Sequence, residues 1–372
     1  MKKVYPSRYY FSQKATGFVL KNIATILAKR DFLTGGKYCQ EFEARFSWYQ
    51  KAKYALAVNS GTSALEAILS SLDIKGKEVI VTTNTFAATI YAILRAGAKP
   101  VFADILDDMS LDPEDAKRRL TTKTKAVVAV HIGGFISPAI KDLQRLCQQQ
   151  GLLLIEDAAH AVGAAYQGKM AGSFGVAAAF SFFATKVMTT GEGGAVLTSQ
   201  RGLQEKIMIM RDQGKIAGAN FHQQMGWNWR LTEFQALLGL AQLQDIHKVI
   251  QKRQQIAGVY GRLLKDVAGI RILSLPKNSV ANFYKYFVFL PRNLMPQKII
   301  ALLKARYQIS LPMAAYDIPC HQQPVFRQYA QARLPNAEKL CASHICLPVY
   351  YDLTLRQVKY IVSCLRELIE NK

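Results

Sequence analysis

The feature that most constrains this chain is a regular beat of short apolar runs and helix-length segments between residues 54 and 183. Runs at 54–58, 78–82, 100–104, 126–131 and 152–155 each have the length of a strand. Between them, Leu65, Ile68, Leu69 and Leu72 recur at helical spacing, and 87–96, 113–120 and 137–149 read as helices. Strand and helix in such alternation predict an α/β fold, a mainly parallel central sheet flanked by helices. Ligands of such sheets bind beyond the carboxyl ends of the strands. Ser60 with Gly61 and Thr62, Asn84 with Phe86, His131, Asp157 and Lys186 all fall there.

Two of these positions carry charge. Glu156 and Asp157 end one apolar run. Lys186 follows another, 177–183, with Gly191, Glu192, Gly193 and Gly194 just behind it. A buried ion pair would explain them, but desolvation makes such pairs costly, and ionisable groups at strand ends belong more often to a site. A lysine there can form a Schiff base once burial or neighbours lower its pKa. An aspartate at the next strand end can keep a heteroaromatic ring nitrogen protonated. Ser60, Gly61 and Thr62 open a helix after a strand, where free N–H groups suit a phosphate, although the same residues also make an ordinary helix cap. The three demands together describe pyridoxal 5′-phosphate.

The formal net charge of +22 admits nucleic acid, a membrane surface or a polyanionic small molecule as partner. The basic residues are scattered, with no block longer than Lys117-Arg118-Arg119, so no nucleic-acid partner is expected. The basic amino terminus, MKKVYPSRYYFSQK, has no apolar segment behind it, and no apolar run approaches the ~20 residues of a membrane helix. A cytoplasmic protein without a membrane partner is expected. Six cysteines show no paired spacing and six histidines no ligand motif, so neither disulfides nor a metal is expected. With 372 residues, two domains are expected: 1–249, and a smaller α+β domain at 250–372 after a linker-like basic segment near Lys252.

The motifs carry a resemblance nearly end to end: DFLTGG at 31–36, VNSGTSAL at 58–65, TFAAT at 85–89, EDAAHA at 156–161, TGEGG at 190–194 and GWNWR at 226–230, with Ser181 and Lys186 between. The chain resembles the DegT-type (DegT/DnrJ/StrS) sugar aminotransferases, pyridoxal-phosphate enzymes of fold type I that aminate keto groups on nucleotide-linked sugars. The resemblance implies that Lys186 binds the cofactor covalently and then shuttles a proton, and that Asp157 pairs with the pyridinium nitrogen. It further implies that Phe86 stacks on the ring, although by itself Phe86 reads as a core aromatic. His160 would lie near the 3′-oxygen, and Gly61, Thr62 and Ser181 would bind the phosphate. Asn228 would reach the cofactor of a partner subunit in a homodimer with a shared active site. Arg230 and His321 are candidates for contacting the acceptor. An amino acid, glutamate or glutamine, would be the donor.

One departure stands out. Where the family usually shows a Tyr-Gly turn, this chain has Ile132-Gly133-Gly134-Phe135-Ile136-Ser137-Pro138, expected at the ring edge where the acceptor approaches. A keto-cyclitol or another keto-sugar is therefore an open alternative, as is a non-catalytic basic protein that keeps the fold for binding or regulation.

Overall fold

The computed structural model describes residues 3–216, 218 and 220–370; Met1 and Lys2, which open the basic amino terminus, lie outside it. The expected alternation builds a seven-stranded sheet. Its spatial order is Tyr54–Val58, Gly194–Thr198, Ala177–Ser181, Leu153–Asp157, Thr124–Val130, Glu78–Thr82 and Lys99–Ala103. All neighbouring pairs are parallel except the two made by Gly194–Thr198, which runs antiparallel to both strands beside it. That strand is not evident from the alternation. The glycines before it reverse the chain: Gly191 and Gly193 take positive φ, and a Cβ on Gly194 would lie 2.3 Å from the Ser60 carbonyl oxygen. Close passage of Gly194 thus lets the 58–61 turn sit against the sheet end.

Helices cover both faces. On one side Phe42, Phe46, Phe180 and Phe182 pack edge to face. On the other, Ile68, Ile90 and Val128 are fully buried. Helix Lys37–Tyr49 has no side-chain cap of its own. Instead the buried Glu233 carboxylate accepts the N–H groups of Gly36, Tyr38 and Cys39 at 2.9–3.0 Å, a negative charge at a positive helix end. Glu233 itself begins helix Glu233–Leu264, which opens on the expected Thr232 cap.

That helix corrects one expectation. The segment near Lys252 is no linker but the middle of 32 continuous helical residues, with Val249, Ile250, Arg253 and Ile256 buried. A boundary at 249/250 falls inside it. Its carboxyl half packs with helices Pro296–Tyr307 and Leu355–Glu370 against a three-stranded antiparallel sheet of Arg271–Ile272, Tyr286–Phe289 and His344–Leu347. All six cysteines are buried and unpaired with one another. No helix among the described residues is long and apolar enough to cross a membrane.

Candidate active site

A cavity of about 700 Å³ opens at the carboxyl ends of the parallel strands. It brings together Ser60, Gly61, Thr62, Phe86, Asp157, His160, Ser181 and Lys186. Each arrives by a local device. Register pairs Val130 with Asp157 and Asp157 with Ala179, so three strands end almost level. Successive side chains of a strand point to opposite faces. Asp157 therefore turns to the cavity while Glu156 turns away, where it accepts the N–H groups of Gly172, Phe174 and Gly175 and pairs with His131 at 2.8 Å. His131 is a buried structural partner of Glu156, not a wall of the cavity.

Asp157 and Lys186 do not form the ion pair that the bland reading would require. The Asp157 carboxylate accepts from the Thr89 hydroxyl at 2.8 Å and the Ala159 N–H at 3.1 Å. Thr89 in turn contacts the Thr85 hydroxyl at 2.9 Å, so a short chain of hydroxyls orients Asp157. Lys186 is half-buried, its ammonium 4.6 Å from the centroid of Tyr284. Burial lowers its pKa from the ordinary lysine value; Tyr284 and Asp157 oppose that, and the Lys285 ammonium adds to it. An amine lowered this way is a better nucleophile.

At the other end of the cavity, helix Gly61–Ser70 offers its amino terminus. Ser60 Oγ accepts the Ser63 N–H at 3.0 Å and Ser60 O accepts that of Ala64 at 3.1 Å. The amides of Gly61 and Thr62 come before any intrahelical acceptor. A Cβ on Gly61 would lie 2.7 Å from Cβ of Ser181, so glycine lets the Ser181 hydroxyl close beside those amides.

His160 is buried, and the Gly133 N–H donates to its Nδ1 at 3.3 Å. A neutral ring must then carry its proton on Nε2, which lies 3.4 Å from the Tyr316 hydroxyl. Burial holds His160 well below the ordinary histidine range, and the ammoniums of Lys186 and Lys285 reinforce it. His344, also buried, is lowered chiefly by burial too. Burial disfavours the charged form of both in the folded protein, whereas both are free to protonate when unfolded, with a reference near ~6.5. Their stabilisation is thus present above that pH and lost progressively as the pH falls below it. Denaturant midpoints are expected to fall between pH 7.5 and 5.5, and less steeply in His160→Gln. Superimposable slopes for the two proteins would contradict this account.

Phe86 is 62% exposed, so it is not a core aromatic but a ring presented to the cavity. The loop carrying it is held from below. Cys320 N–H donates to Thr83 O at 2.8 Å, and His321 Nδ1 meets the Thr83 hydroxyl at 2.7 Å. His321 also contacts Glu338 at 3.3 Å and is buried. It anchors the 83–86 loop and does not line the cavity. Arg230 likewise lies outside, paired with Asp212. Asn228 is exposed outside the cavity, its backbone oxygen accepting from the Asn59 side chain at 3.1 Å. The 133–138 loop is corrected as well. Gly133 to Ser137 are buried, and the loop packs under residues 282–287 instead of edging the cavity.

The cavity also holds residues that no motif announced: Tyr284, Lys285, Tyr316, Arg253 and the amino-terminal strap 6–10. The strap is tied down by the Val4 pairing with Ile309 and by Gln242 Nε2 donating to Tyr10 O at 2.6 Å. Only the helical phase of Arg253, on the buried face with Ile250 and Ala257, could have drawn notice in the sequence.

A presented aromatic ring, an amine outside any ion pair, an oriented carboxylate and a helix amino terminus that a Cβ would block suit a flat, phosphorylated heteroaromatic cofactor. In this α/β frame they define the class of pyridoxal-phosphate transferases. Comparison narrows the class. The model of the DegT/DnrJ/EryC1/StrS aminotransferase family matches residues 15–366. GDP-perosamine synthase of Vibrio cholerae is 35% identical over 89% of this chain and 90% of its own. The pleiotropic regulatory protein of Geobacillus stearothermophilus is 34% identical over 89% of each. The solved structure of Helicobacter pylori PseC, an aminotransferase involved in the biosynthesis of pseudoaminic acid, superposes with a TM-score of 0.92 at 31% identity over both whole chains. The chain belongs to the DegT/DnrJ/EryC1/StrS family and is a pyridoxal-phosphate-dependent aminotransferase.

Proposed function

We propose that this aminotransferase moves an amino group from an amino acid, glutamate first among donors, to a keto group of a nucleotide-linked deoxysugar, in amino-sugar or surface-polysaccharide biosynthesis. The observation that carries the reading is the half-buried Lys186, with no carboxylate partner among the described residues, sharing one cavity with Asp157 and the Gly61–Ser70 amino terminus. A cavity of about 700 Å³ is roomier than the cofactor alone needs, and Arg8 on the strap gives its outer wall a positive charge suited to a diphosphate. The relative named GDP-perosamine synthase supports a nucleotide-linked substrate.

Pyridoxal phosphate, when bound, supplies an electron sink for the carbon that loses its proton. The protein's part follows from the residues. Lys186 would hold the cofactor and move the proton through its Nζ. Asp157, oriented by Thr89, would face the ring nitrogen, and Phe86 the ring. Gly61, Thr62 and Ser181 would take the phosphate, while the neutral His160 offers its Nε2 proton near the ring's oxygen. We also propose a homodimer in which Asn228 reaches the phosphate at the neighbouring site. The exposed Phe221, Met225 and Trp227 around Asn228 suit such an interface. The expected location is the cytoplasm.

The test is a panel of nucleotide-linked keto-sugars with glutamate or glutamine, amine formation being read by mass. Turnover on at least one nucleotide-linked keto-sugar is expected. Turnover only on a keto-cyclitol would replace the substrate class. Failure across the whole panel with both donors would overturn the nucleotide-linked substrate class.

A further inference from the structure

The 133–134 turn, which departs from the family's usual residues, has a structural consequence on the far side of the cavity. Gly133 O accepts the Lys285 N–H at 3.1 Å, and Gly134 O that of Asn282 at 2.9 Å. Side chains at either glycine would prevent this approach. A Cβ on Gly133 would lie 2.4 Å from Phe287 Cε2, and one on Gly134 1.9 Å from Asn282 Oδ1. The segment so admitted is fixed on other sides too. Arg253, buried beside the cavity, donates to Asn282 O at 2.9 Å and Phe283 O at 2.7 Å. Asn282 Nδ2 donates to His160 O and Val162 O, both at 2.8 Å.

At the end of this rigid segment Lys285 enters the cavity. Its ammonium donates to Met313 O at 2.9 Å, a neutral partner, and lies 5.2 Å from the Tyr284 ring centroid. The Lys186 ammonium lies 4.6 Å from the same centroid. Two ammoniums therefore flank one phenol in a partly desolvated space, where like charges repel. Holding the cofactor needs only one of them. A fixed second cation beside the reacting amine is suited to an anion carried by a substrate whose reacting atom is at Lys186.

Resting on the aminotransferase reading, we propose that Lys285 binds the α-carboxylate of the amino donor. The α-carboxylate of an amino acid is bonded to the very carbon that bears the reacting nitrogen, so it must lie close to Lys186. The diphosphate of a nucleotide-linked sugar is set apart from a keto carbon by the breadth of the sugar ring, which places it nearer the mouth and Arg8.

Glutarate, a dicarboxylate without an amine to react, separates binding from turnover. It would be titrated calorimetrically into wild-type holoenzyme, Lys285→Met and Lys285→Arg, beside guanosine diphosphate. Lys285→Met is expected to weaken glutarate about ten- to hundredfold, the worth of a charge-assisted hydrogen bond, with Lys285→Arg within about threefold of wild type. Guanosine diphosphate affinity should stay the same. If Lys285→Met does not melt like wild type, Lys285→Gln takes its place. Equal glutarate affinity in the neutral variant, no glutarate binding by wild type, or a loss confined to guanosine diphosphate would overturn the proposal. The visible spectrum on cofactor addition is read separately. Without an absorption band near ~420 nm the cofactor reading fails, whatever glutarate does.

Discussion

Lys186→Ala is expected to lower transamination by at least about 10⁴-fold, because one side chain supplies both the covalent hold on the cofactor and the proton transfer. The band near ~420 nm should vanish with it. Stability should change little. The Lys186 side chain has no carboxylate partner among the described residues, and burial disfavours its charge, so its removal forfeits only the contact with Tyr284. Lys186→Arg keeps the charge and most of the volume but cannot be deprotonated, and should be as inactive as the alanine variant. Turnover in Lys186→Arg above a few per cent of wild type, measured with the substrate found on the panel, would mean that the lysine acts as a charge and not as an amine.

The second large effect is expected at Asp157. Replacement by asparagine nearly preserves shape but removes the negative charge, and only one of its two terminal atoms can accept. The present carboxylate uses both oxygens, for Thr89 and for the Ala159 N–H. Turnover should fall by about 10²- to 10³-fold, the usual loss when one preorganised charge is removed from a site. The absorption band should remain, since Lys186 is intact. Thr89→Val tests the orienting chain separately. Asp157 would stay charged but lose the hydrogen bond at Oδ2, and a loss of about tenfold is expected. A Thr89→Val loss equal to that of Asp157→Asn would show that orientation, and not charge, is what Asp157 contributes.

Much of this was legible along the chain because the fold repeats a local rule. Runs of apolar residues at strand length, separated by helical periodicity, specified five parallel strands to within a residue or two, and strand ends located Asp157, Lys186 and the Ser60 turn. Strand ends located Phe86 too, the resemblance added its role together with His160 and Ser181, and all three line the cavity. What failed depended on where a side chain turns. His131 follows a strand as Asp157 ends one, yet its ring meets Glu156 in the interior, where a buried ring nitrogen needs a hydrogen-bond partner. His321, a candidate for contacting the acceptor, is drawn beneath the 83–86 loop by two hydrogen bonds with Thr83.

By itself, then, the sequence determined the α/β frame, the direction in which its strands end, and the lysine, aspartate and phosphate turn that identify the cofactor. These follow from periodicity and from residues close in the chain, where neighbours along the backbone dominate. The tertiary structure alone decided the far wall of the cavity. Tyr284 and Lys285 arrive there because Gly133 and Gly134 leave room and Arg253, on helix Glu233–Leu264, holds the carbonyl groups of Asn282, Phe283 and Tyr284, while Tyr316 stacks against His160 at 6.1 Å. Contacts between residues far apart in the chain depend on volume and hydrogen-bond complementarity in three dimensions, and no periodicity along the chain records them.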